Sequence, residues 1–369
     1  MTGSPVSARL PEFPWDQLTA YAETARAHPD GIVDLSVGTP TDRTPAVVQR
    51  ALSEAANSPG YPATIGRPQT RHACLDWLAR RHGVIGVTGL SLDAVLPVIG
   101  SKELISSLAV HLGLGPTDLV VYPELAYPTY AVGAALAGAR TLAADSLTAI
   151  GPERPALLWL NSPSNPTGRV LPIEHLRKVV QWCRERGTLL VSDECYLECV
   201  WEGTATSVLH PDVSGGSADR ILAVHSLSKR SNMAGYRCGF VAGDASVIAE
   251  LLAVRKNLGL MLPGPQQVAM AAALTDDEHV AEQHARYFAR RTQLWQALVS
   301  AGFRIDHSEG SLYLWATHDE PALETVAWFA DRGILVAPGT FYGPAGDRHV
   351  RIAFTAPDER VATATTRLS

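Results

Sequence analysis

Lysine is scarce in this chain: only Lys102, Lys178, Lys229 and Lys256 occur, and the other 27 basic residues are arginine. Chemistry that needs an unprotonated amine therefore has four places to find one. Cysteine is sparse and odd in number, with Cys74, Cys183, Cys195, Cys199 and Cys238 scattered and no C-x-x-C pair among them. That pattern excludes a disulfide framework, argues against a cysteine-built zinc site, and reads as reduced core thiols of a cytoplasmic protein. Positive charge is not in excess. The formal net charge is −6, so neither nucleic acid nor a membrane is an expected partner. No apolar run is long enough to span a bilayer. The opening MTGSPVSARLPEF lacks the basic-then-apolar order of a secretory leader. Repeats and low-complexity linkers are missing, and no metal site is expected.

What remains is an ordinary globular composition, 46% hydrophobic and 18% charged over 369 residues, long enough for more than one compact domain. Strand-like apolar runs at 94–99, 119–122, 156–161, 189–192 and 221–225 alternate with helical patterns at 102–112, 129–137 and 171–186. Pro97 in the first run suggests a sheet edge or a strand that begins nearby. Such alternation predicts an α/β fold with a mostly parallel sheet covered by helices on both faces. After about residue 260 the pattern changes to a long helical stretch (265–301). A compact strand–helix–strand region at 311–316, 321–331 and 349–354 follows. The expected division is a large domain over 41–260 and a smaller α/β domain built from 1–40 and 261–369.

In parallel α/β sheets, ligands gather at the carboxyl ends of strands, so the residues after each run matter most. Gly100-Ser101-Lys102 opens a helix, either as a simple capped start or as a phosphate site. Asn161-Ser-Pro-Ser-Asn165-Pro-Thr-Gly168 follows another run, with more polar residues than a proline-rich turn needs. Asp193 and Glu194 follow LLVS, as a metal site, a helix cap, or partners of a cation. Between ILAVH and FVAG lies SLSKRSNMAGYRCG (Ser226–Gly239). Its S-x-x-K matches the nucleophile motif of penicillin-binding serine enzymes, but the S-D-N and K-T-G that should follow are not there. An amine, hydroxyls, an arginine, a carboxylate, a phenol and amides together meet the needs of pyridoxal phosphate, an aldehyde with a ring nitrogen and a phosphate.

At this point the chain resembles the class I/II aminotransferases of fold type I. S-x-S-K-x₅-G-x-R-x-G, D-E-x-Y, N-P-T-G and P-x₃-Y-P-x-Y stand in that family's order over nearly the whole chain. Within it, SLSKRSN and the compact N-terminus are most similar to succinyldiaminopimelate aminotransferases. The resemblance implies Lys229 as the lysine that links to the cofactor and shuttles the proton, Asp193 at the ring nitrogen, and Asn165 and Tyr196 at the ring hydroxyl. It implies Tyr127 stacked on the ring, with Ser101, Lys102 (through its backbone), Ser226, Ser228 and Arg237 at the phosphate. Tyr61 would reach a neighbouring subunit's phosphate, which implies a homodimer with shared sites. Arg351 would clamp the substrate carboxylate, with Gly38 close by and Asn165 alongside. Arg43, Arg67 and Arg230 are the candidates for a distal carboxylate; Cys195 departs from the family pattern and reads as packing.

The expected activity is amino transfer, with small amino acids and 2-oxo acids as partners: glutamate gives, N-succinyl-2-amino-6-oxopimelate accepts. Other acceptors (aspartate-type, aromatic, unacylated diaminopimelate), a carbon–sulfur lyase and a non-catalytic sensor are the alternatives.

Overall fold

A computed structural model describes residues 6–369; residues 1–5, the start of the expected small domain, lie outside the described residues. The dominant element is a seven-stranded sheet. Its strands are β1 (Val95–Ile99), β2 (Leu119–Tyr122), β3 (Arg140–Ala143), β4 (Leu157–Asn161), β5 (Leu189–Asp193), β6 (Ile221–Ser226) and β7 (Cys238–Gly243). In space they run β1-β7-β6-β5-β4-β2-β3. Strands β2 to β6 are mutually parallel. Only β7 reverses, antiparallel to both β6 and β1. The expected α/β architecture is thus present, with Pro97 in an edge strand.

The strands form where they do because their sequences are apolar on both sides. Every residue of β4, β5 and β6 is buried, as in a sheet covered on two faces. Alternate side chains feed separate cores. Leu158, Leu160, Leu190, Ile221 and Ala223 pack with Val179, Cys183 and Met270, whereas Leu157, Trp159, Val191, Leu222 and Val224 pack with Leu104, Leu108 and Ile248. Register aligns the strand ends: Asn161 lies beside Asp193, Ser226 beside Gly239, and Ile99 beside Cys238. Polar residues that end separate strands therefore emerge along one edge.

A second core surrounds an antiparallel four-stranded sheet. It comprises β8 (Arg304–Ile305), β9 (Tyr313–Thr317), β10 (Ala337–Pro338) and β11 (Val350–Ala353). Leu314, Trp315, Val350 and Ile352 pack there with Leu18, Val33 and Leu35 from the N-terminal segment. Val33–Asp34 also pairs in parallel with Ile334–Leu335. We propose these two cores as the two domains. The helical stretch expected over 265–301 is two helices, Gly264–Thr275 and Glu278–Ser300. Asp276 breaks it: its backbone is extended and its carboxylate accepts the Glu278 N–H at 2.9 Å, local competition typical of aspartate. Ala269, Met270 and Ala273 of the first helix pack into the large sheet's core, so that packing continues past residue 260. No helix among the described residues is long and apolar enough to cross a membrane.

One buried ion pair fixes the helix that follows β1. Arg255, fully buried, donates to both Glu103 oxygens at 2.7 and 2.9 Å. It joins Ala245–Leu258 to α1 (Ser101–His111). Truncating one member of such a pair strands the other charge. Arg255→Ala is expected to lower the free energy of urea unfolding by about 3 kcal/mol.

Candidate active site

A cavity of about 480 Å³ opens where the strand ends of the large sheet meet the second core. Of the thirteen residues that the resemblance assigns to the cofactor and the α-carboxylate, twelve line it and Tyr61 does not. Its anchor is a one-turn helix, Leu227–Arg230, directly after β6. The Ser226 hydroxyl caps that turn by accepting the Ser228 N–H at 3.2 Å, which sets Lys229 facing inward. The Lys229 ammonium donates to the Gly38 carbonyl. Lys229 and Lys102 are the only two lysines on the cavity wall.

Asp193 ends β5 and is buried. Its carboxylate accepts the Tyr130 hydroxyl at 2.8 Å and the Cys195 N–H at 3.1 Å. Burial raises its pKa, and those hydrogen bonds only partly oppose the shift. Among the described residues it forms no ion pair, so a buried anion faces the cavity with no cation beside it. Glu194 points elsewhere, accepting the Val208 N–H at 2.7 Å, and burial lifts its carboxyl to about 7. The two adjacent carboxylates do not converge. Cys195 packs against the second core as expected and also lines the cavity, its thiol pushed well up by burial and by Asp193.

The same cavity holds a cradle for an anion. Gly100, at φ 77°, opens α1, and a side chain there would overlap the Arg237 guanidinium. Glycine lets that guanidinium lie against the backbone that starts the helix. Ser101, Ser226 and Ser228 share the wall with it. Free helix N–H groups, hydroxyls and a guanidinium suit a phosphate. With the Asp193 carboxylate and the Lys229 amine on the same cavity wall, this donor set fits the group that the resemblance implies. Tyr127 offers a flat ring in the same wall, and the Lys102 ammonium sits 5.6 Å from that ring's centre.

Asn165 joins the two cores. Its N–H donates to Asn161 Oδ1 at 2.7 Å, and its own Oδ1 accepts Arg351 Nη1 at 2.8 Å. Arg351 also donates to the Ser36 carbonyl at 2.7 Å. At 3% exposure Arg351 is no solvated strand arginine, although it lies in β11. Its Nε has no partner and no carboxylate pairs with it among the described residues.

Other expectations fall outside this cavity. Tyr61 is 99% exposed. Arg43 and Arg67 are exposed and line other surfaces. Arg230 is buried against Glu198 and donates to the Ala273 carbonyl at 3.0 Å. Burial would raise the Glu198 carboxyl, but Arg230, His82 and Arg81 bring it down to about 2. Arg230 is therefore committed to a structural ion pair and not to a ligand.

Four wall or neighbour residues were not assigned from sequence. Tyr130 bonds Asp193, and Tyr313 bonds Tyr196 hydroxyl to hydroxyl at 2.9 Å. Phe13 and Trp15 line the cavity, and Trp15 Nε1 is buried without a partner among the described residues. Tyr130 does sit in the Y-P-x-Y motif, which was its only signal.

Comparison with known proteins agrees with this geometry. The profile described as Aminotransferase class I and II matches residues 30–368. A probable aminotransferase of Mycobacterium tuberculosis is 60% identical over 99% of this chain and 86% of its own length. The 4-dedimethylamino-4-oxo-anhydrotetracycline transaminase of Streptomyces rimosus is 55% identical, covering 98% and 99%. Among solved structures, a probable N-succinyldiaminopimelate aminotransferase of Thermus thermophilus aligns at a TM-score of 0.85 and 30% identity, over 96% and 99% of the two chains. The chain belongs to the class I and II aminotransferases, fold type I enzymes that depend on pyridoxal phosphate.

Proposed function

We propose that this chain moves an amino group from glutamate to N-succinyl-2-amino-6-oxopimelate, a step of lysine and diaminopimelate synthesis, as a cytoplasmic homodimer. The observation that carries amino-acid chemistry is Arg351: a buried guanidinium without a carboxylate, at the wall of a cavity that also holds an amine. A substrate α-carboxylate supplies the missing charge, and arginine's planar fork suits it. Gly38 lies beside it, and Asn165 holds one guanidinium nitrogen in place.

When bound, pyridoxal phosphate supplies an aldehyde for an amine and a sink for the electrons released at the substrate's α-carbon. The chain's residues do the rest. Asp193, as an anion, would hold a proton on the ring nitrogen. Asn165 and Tyr196 would hydrogen-bond the ring oxygen, and Tyr127 would stack on the ring. Ser101, the Lys102 backbone, Ser226, Ser228 and Arg237 would bind the phosphate, and Tyr61 would complete it from the second subunit. Lys229, freed from the Gly38 carbonyl, takes the α-proton from one substrate. The same atom gives a proton to the next, so the donor's product leaves before the acceptor binds.

The acceptor is chosen for its distal carboxylates. With Arg43, Arg67 and Arg230 outside the cavity, the Lys102 ammonium, over the Phe13 and Tyr127 rings, is a cation of the cavity wall among the described residues that could take them. The aminotransferase named for succinyldiaminopimelate at 30% identity supports the same acceptor. A second reading has its own support. The Streptomyces relative at 55% identity is named for a polycyclic ketone, and Phe13, Trp15 and Tyr127 would suit a flat aromatic acceptor.

Three outcomes are expected. Lys229→Ala loses the yellow, borohydride-fixable lysine linkage, and turnover falls about 10³-fold or more; retention of that linkage refutes the lysine's role. Stopped-flow bleaching of the holoenzyme by single donors should be fast for glutamate and N-succinyl-diaminopimelate and slow for the unacylated compound. Fast bleaching by phenylalanine alone would favour the aromatic reading. Mixed dimers of inactive Lys229→Ala and inactive Tyr61→Ala subunits should regain about a quarter of wild-type activity if sites are shared as in random pairing. No recovery after proven subunit exchange would sink the shared site.

A further inference from the structure

Tyr313 lies in β9, outside every motif, yet it touches each side of the cavity. Its hydroxyl is 2.9 Å from the Tyr196 hydroxyl. Its ring lies under the Arg351 guanidinium, with 3.9 Å from the guanidinium carbon to the ring centre. Any side chain on Gly38 would overlap the Tyr313 hydroxyl and ring edge, so the loop whose carbonyl receives Lys229 rests directly on this phenol. Tyr313 is buried, at 3% exposure, and none of these contacts is reached through solvent.

We propose that Tyr313 is a positioning residue that carries Arg351 on its ring and donates its hydroxyl proton to Tyr196. It thereby links the substrate-carboxylate side of the cavity to the cofactor side. This rests on the transaminase reading above.

Either hydroxyl could give the proton; the Arg351 guanidinium stacked on the Tyr313 ring favours Tyr313 as the donor. The titratable groups facing Tyr313 are Arg351, Lys229, Tyr196, Tyr342 and Cys199. Burial alone would raise its phenol, but Arg351 and Lys229 bring it below the ordinary phenol value, and Arg351 keeps its charge when Lys229 is linked to the cofactor. Burial and the neighbouring Tyr313 push Tyr196 well up. The more acidic hydroxyl donates to the less acidic one. Having received a hydrogen bond, Tyr196 becomes a better donor in turn, and its own proton is then free for the ring oxygen. A substrate carboxylate on Arg351 neutralises the charge that makes Tyr313 acidic. Arrival of the substrate is thus felt at Tyr196 through one phenol.

The test is a pH titration of the resting holoenzyme's visible absorbance for wild type, Tyr313→Phe and Tyr313→Leu, with donor kinetics beside it. Phenylalanine keeps the ring under Arg351 and removes only the hydroxyl. The absorbance midpoint should rise by about half a unit to one unit. The donor's KM should stay within about twofold while kcat falls. Tyr313→Leu should show the same midpoint and, in addition, a donor KM raised about tenfold, because the stacked support is lost. A midpoint in Tyr313→Phe that is unmoved, or that falls, overturns the proposal. So does a raised KM with an unmoved midpoint, which is the mark of packing alone. Should Tyr313→Leu not fold, Tyr313→Phe decides by itself. Failure here leaves the lysine-linked colour intact in Tyr313→Phe, whereas failure of the transaminase reading shows in Lys229→Ala.

Discussion

Two buried charges of opposite sign face one cavity without a counter-ion among the described residues: the Asp193 carboxylate and the Arg351 guanidinium. Removing an ion from water costs several kcal/mol even after relaxation, and a fold keeps such groups only if the rest of the molecule over-determines them. Here neutral donors and acceptors hold each one. Tyr130 and the Cys195 N–H hold Asp193, and Asn165 and the Ser36 carbonyl hold Arg351. These partners orient the charges but do not cancel them. A cationic ring nitrogen and an anionic carboxylate, both of which amino transfer brings, would cancel them.

The two charges come from different cores, so their alignment is a property of the whole chain. Asp193 is fixed by parallel register, because Asn161 on the neighbouring strand lies directly beside it. Arg351 is fixed by antiparallel pairing of β11 with β9, which places Trp315 opposite it. Asn165 spans the gap with one hydrogen bond in each direction. The cavity lies where polar strand ends meet, since strand interiors here are apolar on both faces and offer no chemistry.

Residues that end apolar runs were legible in the sequence for that same reason. Lys229, Asp193 and Ser101 interrupt runs that would otherwise continue as core, and polarity in that position needs an explanation. Tyr130 and Tyr313 carried no such signal, because an aromatic inside an apolar run reads as packing, and both are buried. Arg230 misled by adjacency. Successive helical residues point about 100° apart, so the neighbour of the inward Lys229 turns into the protein, toward Glu198. The expected boundary at 260 reflected a change of pattern, whereas Gly264–Thr275 is short-chained and apolar enough to return to the first core. Phe13 and Trp15 lie in a segment without periodicity, where sequence offers no face to read.

The reversal of β7 has a consequence for how this chain can vary. Because β7 runs back beside β6, the stretch from Ser226 to Gly239 starts and finishes at the same edge, with those two residues paired across the sheet. Lys229 is tied to the first end by the Ser226 cap, and Arg237 to the second by its seat on Gly100. One inserted residue would either carry Arg237 off that seat or shift β7 by a position. A shift would send Phe240 and Val241 into each other's cores. The loop behaves as a ruler clamped at both ends: its letters are freer to change than their number.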